Sequence, residues 1–296
     1  MTSSLLGGLS ALFSALLWAL SSVMFTWMAP YLDVLPMNLA RCIFATLVFW
    51  LLLPFAGGPA ALTQIAPATM LALAASSILM IVVGDSLYFA SMRLIGVSRA
   101  TPIASVNPLI TLVLAIAWLH EHLTVLNIVG SVLTIAGLYL VIGGGRRADE
   151  REQAPPAWLG VVVALSAALS WGVGMAVLKV GVTGVDVIVA HSVRQPLGAV
   201  FLWGIIAASG RNLDRVRQLS RRLWLILFTN SIVANFIGGI FFVLAFQLAG
   251  AGKAATLTST SPLFAMPFSI LILRERPTRV MLAGTVLAVV GIALVV

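Results

Sequence analysis

The chain is poor in charge. Only 9% of its 296 residues are Asp, Glu, Lys or Arg, against roughly 25% in an ordinary globular protein. Its single cysteine, Cys42, excludes an intrachain disulfide and any cysteine-built metal cluster. No Gly-rich phosphate loop, no Ser-His-Asp pattern and no metal-ligand spacing is present, so neither a cofactor nor an ATP-driven mechanism is expected. His120-Glu121-His122 is not the HExxH zinc pattern, because histidines two apart point to different helix faces. Residues 1–4 carry no Lys or Arg and the first apolar run is long enough to cross a bilayer, so no cleaved leader is expected.

What the chain has instead is apolar length. Hydrophobic residues make up 61% of it, in repeated runs of about 20 residues, the length that spans a bilayer. The pattern predicts an all-α integral membrane protein with ten spans, at 5–27, 35–54, 68–90, 98–119, 124–142, 158–179, 187–208, 223–247, 254–273 and 279–296. The net charge of +8 is explained by arginines in short loops, a matter of membrane topology and not of nucleic acid. Loops after odd-numbered spans hold nearly all of them, from Arg93 and Arg99 to Arg274, Arg276 and Arg279; the other loops hold only Lys179 and Lys253. That bias places the Arg-rich loops in the cytoplasm and both termini outside.

The chain is also written twice. At a shift of 153, Gly7 falls on Gly160, Trp18 on Trp171, Asp33 on Asp186 and Arg41 on Arg194. At 154, Gly84 meets Gly238, Gly96 meets Gly250, Pro108 meets Pro262, Glu121 meets Glu275, Gly130 meets Gly284 and Gly137 meets Gly291. The matched residues are Gly, Pro, Trp and charged types, which two unrelated membrane segments would not share. The division is 1–145, a linker at 146–157, and 158–296. Five spans per half is an odd number, so the second half is expected upside down relative to the first.

Several residues could carry chemistry. Arg41 and Arg194 lie about six residues into spans 2 and 7, where a guanidinium is costly and faces the bundle interior. Each either receives a substrate carboxylate or phosphate, or snorkels to the interface or forms an ion pair that holds helix ends together; the symmetric repetition fits the structural role. Asp85, in span 3, is the one carboxylate placed well inside a span, and its counterpart is Gly239. It could exchange a proton, or pair with Arg41 or Arg93 near the end of the span. Tyr88 would share its face. Trp18 and Trp171 could line a central cavity or pack between helices. Asn38 and His191 are equivalent in position but differ in type, and His191 could relay a proton. Asn235 is the amide of span 8 placed nearest a cavity. Pro102 and Pro108, with Pro262 and Pro267, interrupt spans 4 and 9 and mark a gate. Asn107 and Ser261 precede the matched prolines, to satisfy freed carbonyls or to touch substrate. Gly130, Gly137, Gly284 and Gly291 form close-packing faces on spans 5 and 10, expected to meet each other. Glu121 and Glu275 read as span-end anchors paired with cations such as Arg274 or Arg276.

ALLWA (15–19) and ALSWG (168–172), the mid-span Arg41 and Arg194, and the long signatures at 104–141 and 258–295 carry a family resemblance. Each signature has a mid-span Pro, a Glu at the span end, then a Gly in the next span. The chain resembles the drug/metabolite transporter superfamily, of the ten-span EamA-like type that includes amino-acid and metabolite exporters. The resemblance implies a cavity between spans 1, 3, 4, 6, 8 and 9, alternating access, both termini in the cytoplasm (against the charge bias), and spans 5 and 10 taking the place of a dimer contact. The expected function is a secondary transporter in the cell inner membrane. It would move a small amphipathic metabolite, amino acids first, either with a proton through Asp85 or downhill. The expected partners are that substrate and membrane lipid, with no nucleic acid, in a monomer or weak homo-oligomer. An integral membrane enzyme or a lipid scramblase is the alternative; against an enzyme stands the lack of a convergent acid, base or metal set.

Overall fold

The computed structural model describes residues 3–28, 31–95, 100, 103–144, 157–209, 216, 218–264, 267 and 278–296. All regular elements among them are helical. In order they are α1 (Ser3–Met28), α2 (Val34–Leu52), the short α3 (Gly58–Thr63), α4 (Pro67–Ser77), α5 (Asp85–Ile95), α6 (Asn107–Ala117), α7 (Val125–Gly144), α8 (Ala157–Val182), α9 (Val187–Ala208), α10 (Arg221–Asn230), α11 (Gly238–Ala249), α12 (Ala251–Thr258) and α13 (Arg279–Val295). Two π-helical segments, Ile78–Gly84 and Ser231–Ile237, join α4 to α5 and α10 to α11 into continuous long helices. The linker at 146–156, most of 210–217, and Gly96, Arg99, Pro102, Arg274, Glu275 and Arg276 lie outside the described residues.

Six stretches are long and apolar enough to cross a membrane: Ser3–Ser21, Leu35–Ala56, Pro67–Met92, Val125–Ile142, Trp158–Val182 and Arg221–Ala249. Two shorter apolar helices, Asn107–Ala117 and Arg279–Val295, accompany them. The packing is that of a membrane protein. Bulky side chains such as Leu51, Leu47, Val113, Val200 and Val286 face outward, while the interior mixes many alanines and buried Ser, Thr, Asn, His and Arg with large side chains such as Phe49 and Phe246. Apolar side chains gain nothing by hiding from lipid, so small residues that let backbones approach take the inside.

The two halves contact each other reciprocally. α2 and α9 run antiparallel: the Trp50 indole donates to the Ser192 carbonyl (3.0 Å) and the Ser192 hydroxyl to the Phe49 carbonyl (3.5 Å), while Leu39 packs with Leu202 and Ile206. α7 and α13 also cross antiparallel, with glycine on glycine. A Cβ on Gly130 would fall 2.7 Å from the Gly291 carbonyl oxygen, and one on Gly137 would fall 2.5 Å from that of Gly284. The four glycines are buried and bring the two backbones together.

Pro108 and Pro262 do not sit inside continuous helices. The predicted spans 4 and 9 are broken: residues 105–106 and 259–260 form turns, closed by Val106 N–H to Ile103 O (3.4 Å) and Thr260 N–H to Leu257 O (3.3 Å). Pro108 and Pro262 stand just after these turns, in the first turn of a new helical segment, where a missing N–H costs little. Span 4 also ends earlier than its hydropathy suggests. α6 stops at Ala117, and His120 takes a left-handed φ of 52° that turns the chain.

That turn carries Glu121 to the start of α12, within electrostatic reach of the cation Lys179. Its carboxylate accepts backbone N–H bonds from Ala251 (2.6 Å) and Gly252 (3.1 Å), capping α12 where unpaired amides and the helix dipole favour an anion. Gly250, at φ 85°, has no Cβ where the carboxylate lies; an added one would fall 2.8 Å from it. Nearby, Lys179 Nζ donates to the carbonyls of Phe246 (2.7 Å) and Gln247 (3.2 Å). The Gln247 amide in turn donates to Val182 O (2.8 Å) and Val185 O (2.7 Å). At this end Glu121 bonds across the two halves, and Lys179 and Gln247 bond helices of the second half to each other.

Candidate functional site

The site is built around the two π-helical segments. A π turn bonds i to i+5 and widens the helix, leaving carbonyls poorly used; such turns recur at functional sites. Here the backbone N–H of Asp85 bonds to Met80 O, and that of Gly238 to Val233 O. Each segment receives a tryptophan from the other half. Trp171 Nε1 donates to Met80 O (3.1 Å) and Trp18 Nε1 to Ala234 O (3.3 Å), a symmetric pair at shifts of 153 and 154. The indoles lie over Gly84 and Gly238: a Cβ on Gly84 would fall 2.4 Å from Trp171, and one on Gly238 would fall 3.3 Å from Trp18. These matched glycines are therefore seats for matched indoles. Serines complete the seam, with Ser170 Oγ donating to Leu79 O (2.7 Å) and Ser14 Oγ to Gly238 O (2.9 Å).

On this frame the two halves differ. Asp85 is the first residue after the first π segment. Its Oδ2 accepts from Asn38 Nδ2 on α2 (2.9 Å), and its Oδ1 from Trp171 Nε1 on α8 (3.1 Å). One carboxylate thus joins its own half to the other. Tyr88 packs on Trp171 with ring centroids 5.1 Å apart, so Asp85, Tyr88 and Trp171 meet as one group. Arg41, a turn after Asn38, hydrogen-bonds Asn235 Oδ1 in the second π segment and lies close enough to Asp85 for their charges to interact. The helix that Asp85 opens runs on to Ile95.

The equivalent place in the second half has other residues. His191 stands where Asn38 does, and Gly239 where Asp85 does. His191 is 2% exposed and stacked on Phe49, with centroids 4.6 Å apart and planes at 10°. Its ring nitrogens make no well-formed hydrogen bond, and its edge lies against the Gly239 backbone. Arg194 is 3% exposed. Its Nε donates to Ser76 Oγ (3.1 Å), its Nη2 approaches the Met80 thioether (3.6 Å), and its own carbonyl accepts from Ser77 Oγ (2.6 Å).

Asn107, at the start of α6, leaves its Oδ1 without a partner, and its backbone carbonyl lies beside Gly172, next to Trp171. Trp18 packs on Phe242, centroids 5.0 Å apart. Cys42 does not face water: it is fully buried with Leu39, Val82, Leu202 and Ile206. Among the described residues no cluster of His, Cys, Asp and Glu has a metal-holding arrangement. Sequence reasoning did not single out the π segments or the Asn38–Asp85 bond. The only sequence trace of either is Gly84 and Gly238 recurring with the two tryptophans.

Residues 5–143, and again 158–296, match the EamA-like transporter family. The chain is 25% identical over 288 residues to an uncharacterized transporter of Archaeoglobus fulgidus, covering 97% of this chain and 96% of that protein. It is 27% identical over 194 residues to the uncharacterized transporter YvbV of Bacillus subtilis, covering 64% of this chain and 59% of that one. A crystal structure resembles it with a TM-score of 0.76 over 99% of this chain and 95% of the other; at 17% identity the likeness is one of fold.

Proposed function

The chain belongs to the EamA-like transporter family in both its halves, and on that premise we propose that it is a proton-coupled secondary transporter of a small amphipathic metabolite, amino acids first. It works by alternating access between two inverted five-span halves, 1–145 and 158–296, in the cell inner membrane. The observation that carries this reading is the carboxylate of Asp85 bonded at once by Asn38 of its own half and Trp171 of the other.

An ionised carboxylate accepts through both oxygens; a protonated one turns an acceptor into a donor. Protonation of Asp85 removes its charge and weakens the bonds it accepts from Asn38 and Trp171. The tie between the halves loosens, and they rock about the seam. Trp171 and Tyr88 then form a wall for the apolar part of the substrate, with Asn107, Asn235, Arg41 and His191 as the polar groups within reach of the same centre. The breaks before Pro108 and Pro262 let the ends of spans 4 and 9 move without unwinding a continuous ladder.

The test is uptake in proteoliposomes across a panel of amino acids, with and without an imposed pH gradient. Saturable uptake of one class, faster with the gradient, is expected. Uptake of none would overturn the substrate class and turn the search to nucleosides and sugars.

A further inference from the structure

We propose that Arg194 is the substrate's anion site, receiving a carboxylate or phosphate group. This rests on the transporter reading above and assigns a residue to one end of its substrate.

The two halves present the same arginine in opposite electrical settings. Around Arg41 stand Asp85, which supplies a counter-charge, and Asn235, whose amide oxygen accepts from the guanidinium. At the equivalent positions around Arg194 stand Gly239 and Ile81. Both acceptors have been replaced by residues with no polar side chain, yet the arginine has stayed. Arg194 has five N–H donors. Among the described residues, one goes to the Ser76 hydroxyl and another to a thioether, a weak acceptor. None of the described carboxylates joins it.

A guanidinium 3% exposed in the interior of a membrane protein is costly without an anion. A structural arginine would have kept its carboxylate, as Arg41 keeps Asp85. One whose anion arrives and leaves with the substrate cannot keep one. The planar fork of donors suits a carboxylate or phosphate oxygen pair. One turn earlier stands His191, close enough to Arg194 for their charges to interact and without a well-formed side-chain partner for its ring. Met80 links the two ends of the site. Its sulfur faces Arg194, and its carbonyl accepts from the Trp171 indole that also holds Asp85. A substrate with an oxyanion on Arg194 therefore reaches toward Trp171 and Asp85, and an amino group there would meet the carboxylate. A zwitterion fits both ends.

The experiment is ligand-induced thermal stabilisation of the full chain in lipid nanodiscs. The probes are L-phenylalanine and L-leucine, their uncharged-carboxyl amides, and small phosphate monoesters. We expect at least one oxyanion class to stabilise the protein and the amides to fail; whichever class binds decides between carboxylate and phosphate. Arg194→Gln weakens that binding by about tenfold or more, the loss of one charge-assisted bond, and Arg194→Lys restores part of it. Should Arg194→Gln fail to fold, the double variant His191→Asn with Gly239→Asp takes its place. It rebuilds the first half's neutralised arrangement around Arg194, removes the imidazole that a Cβ on Gly239 would crowd, and should abolish oxyanion binding. Stabilisation by no oxyanion, equal stabilisation by the amides, or unchanged binding in whichever variant folds overturns the assignment. Oxyanion binding without any transport in proteoliposomes would instead leave the site standing and sink the transporter reading.

Discussion

At the residue scale, the chemistry is concentrated in side chains that bond across the halves. Trp171 shares one N–H between Met80 O and Asp85. Trp171→Phe keeps the ring and deletes that donor, leaving a buried carbonyl and a carboxylate each short of a partner. A loss of about 1–3 kcal/mol is expected from such a deletion, read as a lower melting temperature in detergent. An unchanged melting temperature would show that the indole only fills space. Cys42, fully buried, should resist maleimide in the folded protein and react in denaturant; rapid labelling of the native protein would place it on a water-filled path. Residue identity is the most legible level in the sequence. Trp18, Trp171, Arg41, Arg194 and Asp85 all stand out as polar or bulky groups in apolar runs. Their partners are less legible. Glu121 reads as a span-end anchor for cations, and its bonds to the amides of Ala251 and Gly252 are not legible, because a helix start exposes donors that no residue type announces.

At the element scale, spacing of small residues and prolines decides how helices meet. Gly130, Gly137, Gly284 and Gly291 can be assigned to one interface from their seven-residue intervals, and the structure brings them together in pairs. Gly137→Leu should prevent stable folding, since even a Cβ there falls 2.4 Å from the backbone nitrogen of Ala288. Gly204→Ala, with nothing within 4 Å, serves as the tolerated control. Equal yields of folded protein from the two variants would contradict the close-packed crossing. The π segments escape sequence reading for a physical reason. ILMIVVG and SIVANFI suit an α-helix in composition, and the indole that bonds a carbonyl of each segment arrives from a distant helix. The breaks at 105–106 and 259–260 are legible only as prolines; that the helix restarts there, and is not merely kinked, depends on the turns that precede Pro108 and Pro262.

At the scale of the whole molecule, the duplication yields a near-symmetric frame with an asymmetric centre. The frame comes from the seats Gly84–Trp171 and Gly238–Trp18 and from the α7–α13 crossing. The asymmetry comes from Asp85 against Gly239, Asn38 against His191 and Asn235 against Ile81. At one end Glu121 bonds α12, and Lys179 and Gln247 bond across α8 and α11. Glu121→Ala removes two charge-assisted bonds to backbone amides, and a loss of about 1–3 kcal/mol in stability is expected. In transport, the same change should bias the molecule toward opening at that end, seen as faster modification of a cysteine introduced at Val243 on the buried face of α11. No change in either readout would mean the latch is incidental to closure.

The central claim is that Asp85 couples the two halves to a proton. The measurement that bears on it most directly is the pH-gradient dependence of uptake in proteoliposomes for wild type and Asp85→Asn, using the best substrate of the amino-acid panel. The amide is neutral at every pH, so the account predicts gradient-accelerated uptake in the wild type and uptake indifferent to the gradient in the variant. Gradient-accelerated uptake that survives Asp85→Asn would contradict it and leave Asp85 as a structural tie between the halves.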